Sequence, residues 1–346
     1  MLGTLALASV LLAQGPAPAG DPAAEAREAK HLRNIRQVTS GLLKAGEGYF
    51  SPDARSIIYQ GVRPGTEDYQ IFTQDLAPGS TPKMVSTGKG KCTCAYFHPD
   101  GKSILFASSH LDPALSSDGT KPAEPPKAPG YQREGRSYRW DFEPAMDLFR
   151  ADLDGSNLIR LTATPGYDAE GSYSPDGKQI VFTSFRDGDP EVYVMDADGT
   201  NPRRVTNIKG YDGGPFFAPD GKRLVYRSDR KGNDLLQVFV NNTAGTAERP
   251  LTDDTNVNWG PYWHPDGKHV IYATSRFGHT NYDLMMVDAE TGAEERITFV
   301  EGFDGLPVFS PDGSKLMWTS SGRTPDHKSQ LFVADFVLGA APTVDQ

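Results

Sequence analysis

Only two cysteines, Cys92 and Cys94, occur in 346 residues, which excludes a disulfide scaffold and a cysteine-built zinc site. Positive charge is also short: 35 Lys and Arg stand against 45 Asp and Glu, giving a formal net charge of −10. Such a field repels a phosphate backbone, so a nucleic-acid partner is excluded. The sequence has no H-E-x-x-H, no G-x-x-x-x-G-K-[ST], no G-x-G-x-x-G and no G-x-S-x-G, which removes zincins, P-loop enzymes, dinucleotide enzymes and serine hydrolases of the nucleophile-elbow type. The apolar run Leu2–Ala13 holds twelve residues, where a membrane helix needs roughly 20, so the chain is not expected to be transmembrane.

That run does suit the apolar segment of a secretory signal, although no Lys or Arg precedes it. Residues 1–20 are therefore expected to be a signal peptide, with small residues for cleavage at Ala13 or Ala17–Ala19, and the protein to be periplasmic or secreted. Residues 21–33 read as a solvated leader, and 340–346 as a tail. Between them Gly (36) and Pro (27) are plentiful, and 37% of the chain is hydrophobic, so a folded, turn-rich body is expected.

A tetrapeptide punctuates that body: SPDA at Ser51, HPDG at His98, SPDG at Ser174, APDG at Ala218, HPDG at His264 and SPDG at Ser310. The prolines are spaced 47, 76, 44, 46 and 46 residues apart, one period of about 46 with some 30 extra residues in the second unit. Five residues beyond each Pro stands an apolar triplet such as Ile180-Val181-Phe182 or Leu316-Met317-Trp318. Pro presets φ, Asp bonds the local backbone and Gly takes positive φ, so each tetrapeptide turns one antiparallel strand into the next, and the triplet is that next strand. A third strand (Tyr193–Met195, Leu284–Met286) and a fourth ending in Leu-Thr or Val-Thr complete each unit. The fold class is all-β: a six-bladed β-propeller with blades at about 45–86, 91–163, 167–207, 211–253, 256–298 and 303–336. The sixth unit has no fourth strand of its own, and Arg36–Thr39 is unused, so residues 34–39 should complete the last blade and close the ring.

The form "SPDG, apolar triplet, Ser-x-Arg-x-Gly, Tyr-Val-Met-Asp-x-Asp-Gly, Leu-Thr", nearly complete over Ser174–Thr206, closely resembles the propeller repeat of the TolB family of exported bacterial proteins. The resemblance covers about residues 34–336 and carries the fold. The α/β domain that precedes the propeller in TolB has no counterpart expected in the roughly 30 residues here, so functions of that domain are not carried over.

In such blades the PDG turns share one rim with the turns between third and fourth strands. The opposite rim carries the loops between blades and those between second and third strands. The unusual residues fall on that second rim. The extra segment of unit two, about 109–144, ends in Tyr131, Arg133, Arg136, Tyr138, Arg139 and Trp140, types favoured where a loop binds a partner. Seven residues before the prolines stand Asp168, Asp212, Asn258 and Asp304; five before stand Glu47, Cys94 and Glu170. This acidic ring is read in two ways, as blade-to-blade hydrogen-bond acceptors or as an axial site for a hard ion, calcium or magnesium, bound by Asp168, Asp212, Asn258 and Asp304. Cys92 and Cys94, two apart on a strand, should face one side. The leading expectation is an exported monomeric propeller that binds a protein or envelope polymer through the insert-bearing rim, with Glu47 and Glu170 at its mouth. The alternative is a metal-dependent hydrolase or lyase at the acidic axis.

Overall fold

The computed structural model describes residues 22–116, 119–120 and 142–339. Its strands form six antiparallel four-stranded sheets, each made of four consecutive strands, save the last. The innermost strands are Lys44–Phe50, Cys92–Phe97, Asp168–Tyr173, Asp212–Phe217, Asn258–Trp263 and Asp304–Phe309. Each begins at the rim that carries the insert and ends at its PDG turn.

Blade three shows why the tetrapeptide turns the chain. Ser174 Oγ donates to Asp176 Oδ1 (2.7 Å) and accepts from the backbone N of Gln179 (2.9 Å). Asp176 Oδ1 also accepts from the backbone N of Lys178 (3.1 Å), and Gly177 has φ of 70°. These donors hold the Asp176 carboxyl below its usual range. The triplet that follows is fully buried in all six blades, and facing sheets interdigitate these side chains into the core.

The fourth strands of blades one to five are shorter than the sequence suggests, only two or three residues, for example Arg203–Arg204 and Glu294–Arg296. The Thr that ends each motif lies beyond the strand and has another task. Thr162, Thr206, Thr252 and Thr298 Oγ1 accept from the backbone N of the second residue of the third strand, at 2.8 to 2.9 Å. Thr39 does the same for Leu331 N at 2.9 Å. The N-terminal segment is thus the missing fourth strand of blade six. It runs over Leu32–Gln37, two residues earlier than expected, and pairs antiparallel with Gln330–Phe336.

The leader is not simply solvated. Pro22–Glu28 forms a short helix whose Glu28 side chain is buried and accepts from Arg323 Nη2 (2.6 Å) and Phe299 N (2.8 Å), so a second clasp ties the N-terminal segment to blades five and six. Among the described residues no helix is long and apolar enough to cross a membrane.

Candidate functional site

Each innermost strand is bulged near its start, where pairing with the second strand shifts register, as between Ala169 and Ser172 or Gly213 and Phe216. The residue five before the Pro takes positive φ in every blade: Glu47 (47°), Cys94 (54°), Glu170 (56°), Gly214 (58°), Gly260 (60°) and Leu306 (53°). A bulge breaks strict alternation. It aims these six positions at the axis, where they line one cavity of about 210 Å³ together with Gln60, Arg227 and Trp259. The side chains two residues further on form its floor. Tyr49, Tyr96, Phe216 and Tyr262 pack with centroids 5.0 to 6.4 Å apart, and the Tyr96 and Tyr262 hydroxyls meet at 3.0 Å across the ring. This belt stops the channel at mid-height. Beyond it, the PDG mouth is a separate apolar funnel of about 260 Å³ lined by Pro52, Pro99, Pro175, Pro219, Pro265 and Pro311.

Within the upper cavity the two expected carboxylates differ. Glu170 accepts from Thr183 Oγ1 (2.7 Å), Tyr211 Oη (2.8 Å), Gly214 N (2.7 Å) and Arg227 Nη2 (2.8 Å), the last three from the next blade. Glu47 has weaker donors, the Cys94 thiol and the Tyr49 hydroxyl at 3.4 Å. Burial, which these donors offset only in part and to which the charge of Glu170 adds, pushes the Glu47 carboxyl up to about 7. Burial and the neighbouring Glu47 also push the Cys94 thiol well up, which leaves it protonated and unactivated as a nucleophile.

The structure does not gather the four residues read as an axial ion site. Asp168 and Asp212 each begin an innermost strand but turn into their own blade, where Arg186 Nη2 (3.3 Å) and Arg230 Nη2 (3.1 Å) donate to them. Asp304 accepts from Trp318 Nε1 (3.2 Å) and pairs with Arg323 (3.5 Å), and Asn258 Nδ2 donates to Asp254 (3.0 Å). Among the described residues no three His, Cys, Asp or Glu side chains are grouped as metal ligands. The backbone contact across blades expected of these aspartates is made instead by Glu170. Cys92 and Cys94 are free and do not face one side: the bulge sends Cys94 to the axis, while Cys92 stays in its blade beside Ser108 Oγ (3.1 Å).

Tyr131, Arg133, Arg136, Tyr138, Arg139 and Trp140 lie outside the described residues. The end of the insert is described, and Phe142 packs on Tyr167 (5.1 Å), Phe185 (4.6 Å) and Tyr211 (5.8 Å), which roots the insert on the rim above the cavity. Sequence reasoning missed Arg227, which is buried and stacks between the rings of Tyr211 (5.4 Å) and Trp259 (5.8 Å). Its one available signal was a charged residue following the apolar triplet Leu224–Tyr226, where the other units carry Gln, Ala or Thr.

Among the described residues, six four-stranded blades about an axis closed by the aromatic belt define a six-bladed β-propeller. Its repeats are similar to those of the TolB β-propeller family: the TolB beta propeller domain matches residues 128–209 and 185–276. The Tol-Pal system protein TolB of Bordetella pertussis is 51% identical over 39 residues, a stretch that spans 11% of this chain and only 9% of that protein. A TolB homolog of Chlorobium luteolum is 32% identical over 68 residues, or 19% of this chain and 16% of that one. TolB from Acinetobacter baumannii superposes with a TM-score of 0.55 at 21% identity, covering 86% of this chain and 65% of the other. The oligogalacturonate lyase of Vibrio parahaemolyticus shares the fold at 12% identity, with a TM-score of 0.54 over 87% and 93% of the two chains.

Proposed function

We propose that the chain is an exported binding module whose insert-bearing rim docks a protein of the cell envelope. One observation carries this reading: the aromatic belt closes the channel, so the polar cavity is a blind recess opening on the rim where the insert is rooted. On the loops of that rim Leu43, Leu111, Ile208 and Phe277 stand exposed in several blades, apolar surface that a partner would cover. The TolB-type repeat supports export and protein binding, since the curated relatives are named as components of the Tol-Pal system. The test is photo-crosslinking in cells, with p-benzoylphenylalanine at Phe277 on this rim and at Leu153 on the PDG rim. A discrete protein adduct at Phe277 and none at Leu153 is expected; the reverse pattern sinks the assignment.

A lyase reading is favoured by Glu47, a carboxyl held near neutrality in a recess, as suits a general base. Solved oligogalacturonate lyases share the fold. It expects unsaturated products from oligogalacturonate, lost in Glu47→Gln; absence of turnover by wild type removes it.

A further inference from the structure

The geometry points to a ligand for the axial recess itself, one that does not depend on the docking face: we propose that it receives a carboxylate borne on a short apolar body. Arg227 carries the argument. It is 8% exposed, lines the recess and donates through Nη2 to Glu170, yet its Nε is buried with no partner. The guanidinium as a whole lines the recess, so an acceptor entering it would meet a charged donor group that carries more N–H bonds than its bond to Glu170 uses. Room for the guanidinium is built in. A Cβ on Gly214 would fall on the space that the Arg227 guanidinium occupies, and Gly214 has φ of 58°, so a side chain at this bulge would have to displace the guanidinium. Gly260, the next bulge residue, also leaves the ring without a side chain.

The remaining polar groups favour an anion. Glu170 already accepts four hydrogen bonds, which uses up the lone-pair capacity of a carboxylate, so it neither calls for a cation nor stands bare toward a ligand. Glu47 is faced by Cys94, Glu170, Arg227 and Tyr49; with its carboxyl near 7, the neutral form is a donor. Cys94 remains a neutral thiol. Trp259, Leu306, Pro307 and Val308 supply an apolar wall. The volume, about 210 Å³, accommodates about seven water-sized groups, which bounds the body to a few carbons. A free short-chain acid and the C-terminus of a peptide ending in a small apolar residue share this chemistry.

The experiment titrates the folded full chain by calorimetry with butyrate, butyramide and butylammonium, and with acetyl-Ala-Val as free acid and as amide. Saturable one-site binding of butyrate or of the peptide acid is expected, with the matching amide at least about tenfold weaker and butylammonium silent. Tighter binding of the peptide acid assigns the source as a chain end; tighter binding of butyrate assigns a free acid. Raising the pH from about 6 to about 8 ionises Glu47 beside the ligand and should weaken binding about tenfold, a dependence that Glu47→Gln removes. Arg227→Met should lose at least about tenfold. Because that change strands Glu170, Leu306→Phe serves as the second variant: it fills the recess from blade six and should abolish binding with the fold intact. Absence of saturable binding by both acids, tighter binding of butylammonium, or unaltered affinity in Leu306→Phe overturns the proposal.

Discussion

Glu47 and Glu170 hold equivalent places in blades one and three, and their neighbours make them different groups. Four donors converge on Glu170, whereas Glu47 has only the Cys94 thiol and a distant Tyr49 hydroxyl to set against a burial cost. The sign of the consequence is fixed. The Glu47 carboxyl is pushed up to about 7 in the folded protein from its ordinary 4.5, so its contribution is fully present below about 4.5 and is lost as pH rises through 7. One such group sets a slope of at most about 1.4 kcal/mol per pH unit. Denaturant unfolding of wild type and Glu47→Gln across this window should give curves that converge at low pH and separate upward, with the variant relatively more stable at high pH. Parallel curves would contradict the raised carboxyl. Asp212 and Asp283, raised by burial to about 6 and about 7, share the sign and remain in both proteins, so the difference isolates Glu47.

At the level of strands and turns, the local signals were the legible ones. The PDG turn and apolar triplet act within a dozen residues of sequence, and each of the six produced the strand pair expected of it. The unused Arg36–Thr39 segment was legible for the same reason, because its Thr matches the Thr of every Leu-Thr motif. The bulge was not legible. Four of its six positive-φ residues are Glu, Cys, Glu and Leu, types that do not announce a left-handed backbone, and only Gly214 and Gly260 hint at it. Without the bulge, strict alternation puts Asp168, Asp212 and Asp304 on the same side as Glu170 and its counterparts, and Cys92 on the same side as Cys94; the bulge separates them. The Ser-x-Arg element held the missing partners: Arg186 and Arg230 are the groups that hold Asp168 and Asp212 inside their blades. The closure strand yields a graded prediction. Thr39→Val leaves the buried Leu331 N without its acceptor and should cost about 1–3 kcal/mol in chemical unfolding. Deleting residues up to Ser40 removes both this strand and the Glu28 clasp, exposes the edge of Gln330–Phe336, and should abolish a single cooperative transition. An unchanged transition in the deletion would refute closure by the N-terminal strand.

The whole molecule is a closed ring with two unlike mouths. The PDG mouth is walled by prolines and aromatics contributed by every blade, as the repeat requires. The other mouth is where the repeat is broken: an insert in blade two, glycines at the bulges of blades four and five, an arginine in place of a neutral residue, and two acids with different hydrogen-bond partners. Asymmetry confined to one face of a repetitive scaffold marks the face that carries function, since the scaffold alone would repeat. Hydrogen exchange on the full chain, alone and saturated with the partner identified by crosslinking, tests this most directly. Protection is expected at the insert-rim loops 206–211 and 275–282, with the PDG-rim turns 153–157 and 197–201 unchanged. Protection of the PDG-rim turns with the insert rim unaltered would contradict the account.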